Sequence, residues 1–241
     1  MFENSYFYLR TLLRYPFCKK TSLYIYIDMI INDTFARELA GKLLEINAII
    51  LRPTDPFIWA SGWNSPIYCD NRLTLHYPEI RRQIAGQFTE FVSKEFSDID
   101  VITGTATAGI PHAAWVADAL SKPMAYVRAK PKSYGMGNQI EGGVAKGEST
   151  VVIEDLVSTG GSALSVIDAL QFVGAHVDAL ISIFTYGFDI SIENFKKVNV
   201  PVYTLTDYTT LVDVAVEKGF VTTDDFEVLS SWRANPDTWS N

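Results

Sequence analysis

The stretch "VVIEDLVSTGGSAL", Val151 to Leu164, ends an apolar run on two adjacent carboxylates, Glu154 and Asp155, and follows them with hydroxyls and two glycines. Gly160 and Gly161 allow a bend in which several backbone N–H groups point inward. Thr159 and Ser162 add hydroxyl donors at a helix N-terminus, which makes an anion site suited to a phosphate monoester. Two carboxylates beside a phosphate repel it unless the ligand's next chemical group is a donor. The vicinal hydroxyls of a ribose meet two acceptor carboxylates well, directly or through a metal ion, so the pattern describes a ribose 5-phosphate. No GxxxxGK[ST] occurs in the chain and no GxGxxG occurs at this turn, which sets aside the common nucleotide loops. The plainer reading, strand-end acids and an ordinary turn, leaves the acid pair and the small residues Ser158 to Gly161 unexplained.

Such a motif needs a strand to deliver it and a helix to close it. Val151–Ile153 read as the strand, with Glu154 and Asp155 at its carboxyl end and Ser158–Ser162 as the turn into a helix. Around them the strand-like runs "DVITG", "PMAYVRA", "STVVIED", "ALISIFTYG" and "VPVYTLTD" alternate with the helical runs "IPHAAWVADAL", "GSALSVIDALQFVGA" and "SIENFKKV". That alternation predicts an α/β protein with a mostly parallel sheet flanked by helices, whose ligands bind at the carboxyl ends of the strands. Upstream, Asn32 or Asp33 caps a helix with apolar positions Phe35, Leu39, Leu43 and Leu44, and short extended pieces follow around Ile49, Phe57 and Tyr68. "YPEIRRQIAGQFTEFVSKEF" predicts a long helix with Pro78 in its first turn, and "YTTLVDVAVEKG" and "DDFEVLSSW" add C-terminal helices.

The chain has 241 residues, 48% of them hydrophobic, enough for one large domain. A net charge of −8 argues against a nucleic-acid partner held by broad phosphate neutralisation, so any anionic ligand must be met by a local pocket. Cys18 and Cys69 are the only cysteines. They show no CxxC or zinc-type spacing, which fits a reducing cytoplasm. No run is long and apolar enough to span a membrane. Residues 1–28 stand apart, with eight aromatics, four bases and two acids, and with neither the apolar core of a secretory signal nor the make-up of a transit peptide. We expect them to be an atypical extension that folding and catalysis do not need, with Met29 opening a domain 29–241 that begins with a small mixed element.

"VVIEDLVSTGGSAL" resembles the phosphoribosyl pyrophosphate (PRPP) motif of the type I phosphoribosyltransferase family. Three other segments resemble its orotate phosphoribosyltransferase branch in order and spacing: "FIWASGWNSPIYCDNR" (57–72), "GTATAGIPHAAWVADAL" (104–120) and "YVRAKPKSYGMGNQIEG" (126–142). The resemblance runs from about Met29 to Asn241. It implies the type I fold, with residues 29–75 as an N-terminal hood and base-binding region, and transfer of the phosphoribosyl group from PRPP to orotate, giving orotidine 5′-monophosphate and pyrophosphate with Mg²⁺ as cofactor. It also implies a homodimer with a mobile lid shared across the interface.

Carried over residue by residue, the resemblance places the ribose hydroxyls on Glu154 and Asp155, and the 5′-phosphate on Leu156, Val157, Ser158, Thr159, Gly160, Gly161 and Ser162, with Ser158 also near orotate. "GTATAG" (104–109) would be the pyrophosphate loop. Arg128, Lys130, Lys132 and Tyr134 would belong to the lid, with Arg128, Lys132 and Asp155 the residues closest to catalysis. No protein side chain is singled out as a metal ligand, since Mg²⁺ would ride mainly on the oxygens of PRPP. Three positions depart from the family pattern: Tyr134 stands in place of the lid histidine of many members, and Ala108 and Tyr186 stand in place of a loop lysine and a basic orotate contact found in some. Arg72 is then the candidate partner for the orotate carboxylate. His76, His112 and His176 read as packing or surface residues. The rival readings are a phosphoribosyltransferase for another base and a non-catalytic PRPP sensor. The segment 57–72 argues against the first, and the acidic charge against the nucleic-acid surface that such sensors usually carry.

Overall fold

The computed structural model of the protein describes residues 29–59, 61–129 and 139–239. In chain order these form β1 (Met29–Ile30), α1 (Asp33–Glu45), β2 (Ile49–Leu51), β3 (Phe57–Ile58), β4 (Asn64–Ser65), β5 (Ile67–Cys69), a 3₁₀ helix (Asn71–His76), α2 (Pro78–Glu95), β6 (Val101–Thr105), α3 (Gly109–Leu120), β7 (Met124–Val127) and β8 (Ile140–Glu141). There follow β9 (Ser149–Val157), α4 (Gly161–Phe172), β10 (His176–Thr185), α5 (Asp189–Val198), β11 (Val202–Asp207), α6 (Tyr208–Glu217) and α7 (Asp225–Ala234).

Seven strands make the central sheet in the order β1-β11-β10-β9-β6-β7-β8, parallel throughout except for the antiparallel edge pair β7 and β8. β9 lies in the middle because its run is apolar on both faces, as a strand covered by helices on both sides must be. The pleat divides it: Val151 and Ile153 join one core with α1, α2, α3 and α6, and Val152 joins the other with α4 and Phe195 of α5. Asn32 is the N-cap of α1, its side chain accepting the Phe35 N–H at 3.1 Å, and Pro78 opens α2.

Several elements differ from the sequence expectation. β9 runs to Val157, so the two carboxylates sit inside a strand rather than at its last residues. The cause is β10, which stays paired with β9 as far as Thr185↔Val157. The turn is correspondingly shorter, and Gly161 and Ser162 already belong to α4. The edge strands β1 and β8 and the 3₁₀ helix carry too few residues to show a period.

Above the strand ends, the antiparallel pairs β2–β5 and β3–β4 form the small N-terminal hood. α7 reaches back to it: Trp232 Nε1 donates to the Asn64 carbonyl at 3.0 Å. The neighbouring Arg233 donates through Nε and Nη2 to the carbonyls of Tyr186 and Gly187 at 3.0 and 3.1 Å.

Candidate active site

A cleft of about 520 Å³ opens over the carboxyl ends of β6 and β9. Its walls come from Glu154, Asp155 and Ser158–Ser162 on one side and from Thr105–Ala108, Asp70 and Arg72 on the other. Gly160 has φ +86° and lacks a side-chain cap at the start of α4. The first-turn N–H groups of that helix therefore have no partner within the helix and are left for an anion. A Cβ at Gly160 would also meet Phe195 Cε2 at 2.8 Å, so the residue is glycine on two counts.

The acid pair is held from several directions. Glu154 is 4% exposed, and its Oε1 accepts the Asp155 N–H at 3.0 Å. Ser162 Oγ approaches Oε2 at 3.5 Å, and the Thr105 hydroxyl lies beside the carboxylate without completing a hydrogen bond. Burial raises the Glu154 carboxyl well above the usual range and the negative charge of Asp155 raises it further. Burial also raises Asp155, while the hydrogen bond with Glu154 and the charge of Arg72 work against that rise. Two carboxylates this close in a dry setting retain protons that water would remove. A cation or a set of hydroxyl donors would relieve both.

The pyrophosphate-type turn 104–109 also needs small residues. A Cβ at Gly109 would stand 2.3 Å from the Ile153 carbonyl oxygen, so only glycine lets α3 start against β9. The Ala106–Thr107 peptide bond is cis. Arg128, half-buried, lines a hollow with Ala106, Thr107 and Tyr126, and its Nη1 lies 3.7 Å from Glu141 Oε1. Lys130, Lys132 and Tyr134 lie outside the described residues.

A second hollow, about 470 Å³, adjoins the cleft and shares Cys69, Leu156 and Ser158 with it. Phe57, Trp59, Tyr68 and Tyr186 give it aromatic walls. The Trp59 and Tyr186 rings lie 5.3 Å apart and Trp232 buttresses both. The Trp59 indole is fixed by its N–H to the Ile67 carbonyl at 3.0 Å. A flat ring fits such walls.

Arg72 is not brought to this aromatic hollow. Its Nε and Nη2 donate to Asp70 at 2.6 and 2.8 Å, and it borders the acid-pair cleft instead. The reason is local: the Asp70 carboxylate caps the 3₁₀ helix by accepting the Arg72 N–H and holds the guanidinium of the same residue. Tyr186 is buried where the sequence comparison set a basic contact, and it presents a phenol ring to the hollow. Sequence reasoning singled out neither Asn71, whose amide reaches the Asp155 carbonyl at 2.7 Å, nor Trp232, whose ring backs the hollow from far along the chain.

The model of the phosphoribosyl transferase domain matches residues 76–188. An orotate phosphoribosyltransferase of Bacillus subtilis is 53% identical over 207 residues, covering 86% of this chain and 96% of that protein. One from Listeria innocua is 52% identical, covering 84% of this chain and 97% of its own length. The chain belongs to the orotate phosphoribosyltransferase family. Among solved structures, the orotate phosphoribosyltransferase of Aeropyrum pernix matches with a TM-score of 0.66 at 27% identity, over 76% of this chain and 99% of that one. A Leishmania donovani UMP synthase matches with a TM-score of 0.68 at 25% identity, over 82% of this chain and 42% of its own. The mostly parallel sheet expected from the strand and helix alternation and the type I phosphoribosyltransferase fold implied by the resemblance are what is found. The cleft over Glu154 and Asp155 stands at the segment 151–164 whose sequence resembles the family's PRPP motif. Among the described residues no group of three or more His, Cys, Asp or Glu side chains is arranged to hold a metal ion, and no helix is long and apolar enough to cross a membrane.

Proposed function

We propose that the protein transfers the 5-phosphoribosyl group of PRPP to orotate, giving orotidine 5′-monophosphate and pyrophosphate in pyrimidine biosynthesis. One observation carries the reading: an aromatic hollow of ring width opens into a cleft with a phosphate turn and an acid pair, and the two share Leu156, Ser158 and Cys69. A ribose 5-phosphate in the cleft therefore presents its anomeric carbon toward the hollow.

In this reading the first turn of α4 with Ser158–Ser162 binds the 5′-phosphate, and Glu154 and Asp155 accept from the ribose hydroxyls. The turn 105–108 and Arg128 receive the pyrophosphate. The aromatic walls stack the base and fix its ring nitrogen on line with the sugar carbon. Charge grows on the leaving pyrophosphate as the bond to it breaks, so cations and N–H donors placed there act on the transition state more than on the substrate. Lys130, Lys132 and Tyr134 complete that set as a lid, which keeps water from the electron-poor sugar carbon.

The donor set fits Mg²⁺ carried by the substrate: one buried and one half-buried carboxylate are too few for a protein-built cage and suit an ion that keeps most ligands from phosphate and water. When bound, the ion neutralises pyrophosphate charge. We further propose a cytoplasmic homodimer in which each lid serves the neighbouring cleft, and a catalytic unit of residues 29–241. Pyrophosphate release measured with orotate, uracil, adenine and hypoxanthine tests the reading. Release should need PRPP and Mg²⁺ and be fastest with orotate by orders of magnitude. Equal rates with another base would overturn the assignment of substrate.

A further inference from the structure

The acid pair stands at a place where the sheet has lost a neighbour. β6 pairs with β9 only as far as Gly104↔Ile153, and then turns away through Ala106 and Thr107. Asp155, two residues beyond Ile153, has no β6 residue beside it, although β10 still supports its other flank. An unpaired buried carbonyl costs about 1–3 kcal/mol, and a strand end without one partner is free to twist.

Asn71 fills that vacancy. Its Nδ2 donates to the Asp155 carbonyl at 2.7 Å from the first residue of the 3₁₀ helix, 84 positions away in the chain. The side chain is 1% exposed. Its own backbone is tied down, with the Asn71 carbonyl accepting the Thr74 hydroxyl at 2.6 Å and the Asp70 carboxylate accepting the Arg72 N–H at 3.1 Å. Its Oδ1 is buried without a partner. The one hydrogen bond that fixes this buried amide is thus the one its Nδ2 makes to Asp155.

We infer that Asn71 is a positioning residue for phosphoribosyl transfer: it stands in for the missing strand and sets the angle at which Asp155, and through it Glu154, meets the ribose. The inference rests on the ribose-binding role proposed for the acid pair. Displacement of a substrate-orienting group by about 1 Å is enough to cost roughly a hundredfold in rate. The same hydrogen bond joins the hood to the sheet, because Cys69 and Tyr68, just ahead of Asn71, line the base hollow. The position of the ribose acceptors and that of the base wall are thus set by one contact.

The test is a pair of variants read against pH. Asn71→Asp keeps the shape and replaces the donor by an acceptor facing a carbonyl. Its new carboxyl, buried beside two others, holds a proton well above the usual carboxylate range, and the protonated form can donate to Asp155 again. At about pH 8.5 kcat/KM for PRPP should fall at least tenfold, and the deficit relative to the parent should narrow as the pH is lowered to about 6. Asn71→Ser is too short to reach Asp155 and carries no charge. It should lose roughly tenfold in kcat/KM for PRPP at every pH, with the KM for orotate changed less than that for PRPP. Activity within about threefold of the parent in both variants, or a deficit of Asn71→Asp that is the same at every pH, overturns the inference. If Asn71→Asp does not fold, Asn71→Ser decides alone by the same threshold. Asp155→Asn, assayed in parallel, separates the two levels: if it is fully active the ribose reading itself has failed, whereas a dead Asp155→Asn beside active Asn71 variants sinks only the role of Asn71.

Discussion

Glu154 turns its carboxylate back onto the N–H of the next residue, Asp155, at 3.0 Å, so the two acids are neighbours in space as well as in sequence. Desolvation raises both carboxyls, and the charge of Asp155 adds to the rise at Glu154. Because both folded carboxyls hold protons more tightly than their ordinary values of 3.8 and 4.5, the native state binds more protons than the unfolded chain above those values, and stability falls as the pH rises through the folded titration. Asp155→Asn removes one like charge. We expect it to abolish most turnover and, at neutral pH, to raise Tm by about 2–4 °C, a gain that fades as the pH approaches about 4. Calorimetry across pH with a parallel activity assay checks both halves, and activity within a factor of about two of the parent would remove Asp155 from the mechanism.

His112 gives the opposite slope. Burial in α3 between the Phe88 and Trp115 rings lowers its pKa from 6.5 to about 4, and its Nδ1 has no partner. The unfolded histidine takes up a proton as the pH falls below 6.5 while the folded one does not, so stability is lost between those two values, by about 3 kcal/mol at most. His112→Gln should flatten the stability curve over that window and leave it unchanged above about pH 7. Chemical denaturation at a series of pH values reads this directly, and an unaltered slope would show that the ring is hydrated.

Gly109 is where α3 touches the strand that bears the acid pair. Gly109→Ala would set a methyl 2.3 Å from the Ile153 carbonyl oxygen, and backbone must move to admit it. The expected cost is about 1–3 kcal/mol of stability together with a raised KM for PRPP, since Ile153 adjoins Glu154. Gly86→Ala, inside α2 with open space around the added methyl, is the control: it should leave the KM for PRPP unchanged and raise stability by about 0.5–1 kcal/mol.

A chain beginning at Met29 should match the full chain in Tm and orotate turnover, because it keeps the pairing of Met29 and Ile30 with Tyr203 and Thr204 in β11, the first sheet pairing among the described residues. A chain beginning at Asp33 loses that pairing and the Asn32 cap. It should be less stable by about 1–2 kcal/mol. Insolubility of the Met29 chain would move the boundary of the catalytic unit upstream.

Much of this was legible in the sequence where the determinants are local. The strand, acid pair and glycine turn of 151–162 lie within a dozen residues, and their order alone implies a phosphate beside a diol. The helices of the sheet show their apolar stripes, as in Phe35, Leu39 and Leu43. What the sequence hid depends on contacts between distant segments. No local pattern says that β10 will carry β9 on to Val157, that Asp70 will claim Arg72, or that Asn71 will meet Asp155. The aromatic hollow joins Trp59, Tyr186 and Trp232, which share no periodicity and meet only once the sheet is formed.

That last meeting sets an order of events in the making of the protein. The acid pair and the phosphate turn find their direct partners between Asn71 and Phe195 of α5, ahead of β11 and α7 in the chain. The base hollow is different: its Trp59 and Tyr186 are braced by Trp232, and the carbonyls of Tyr186 and Gly187 are tied to Arg233. A ribosome releases α7 late, so during synthesis the sugar-phosphate half can assemble while the base half still lacks its back wall. A nascent chain would thus gain the means to grip PRPP before it can seat the ring that accepts the sugar.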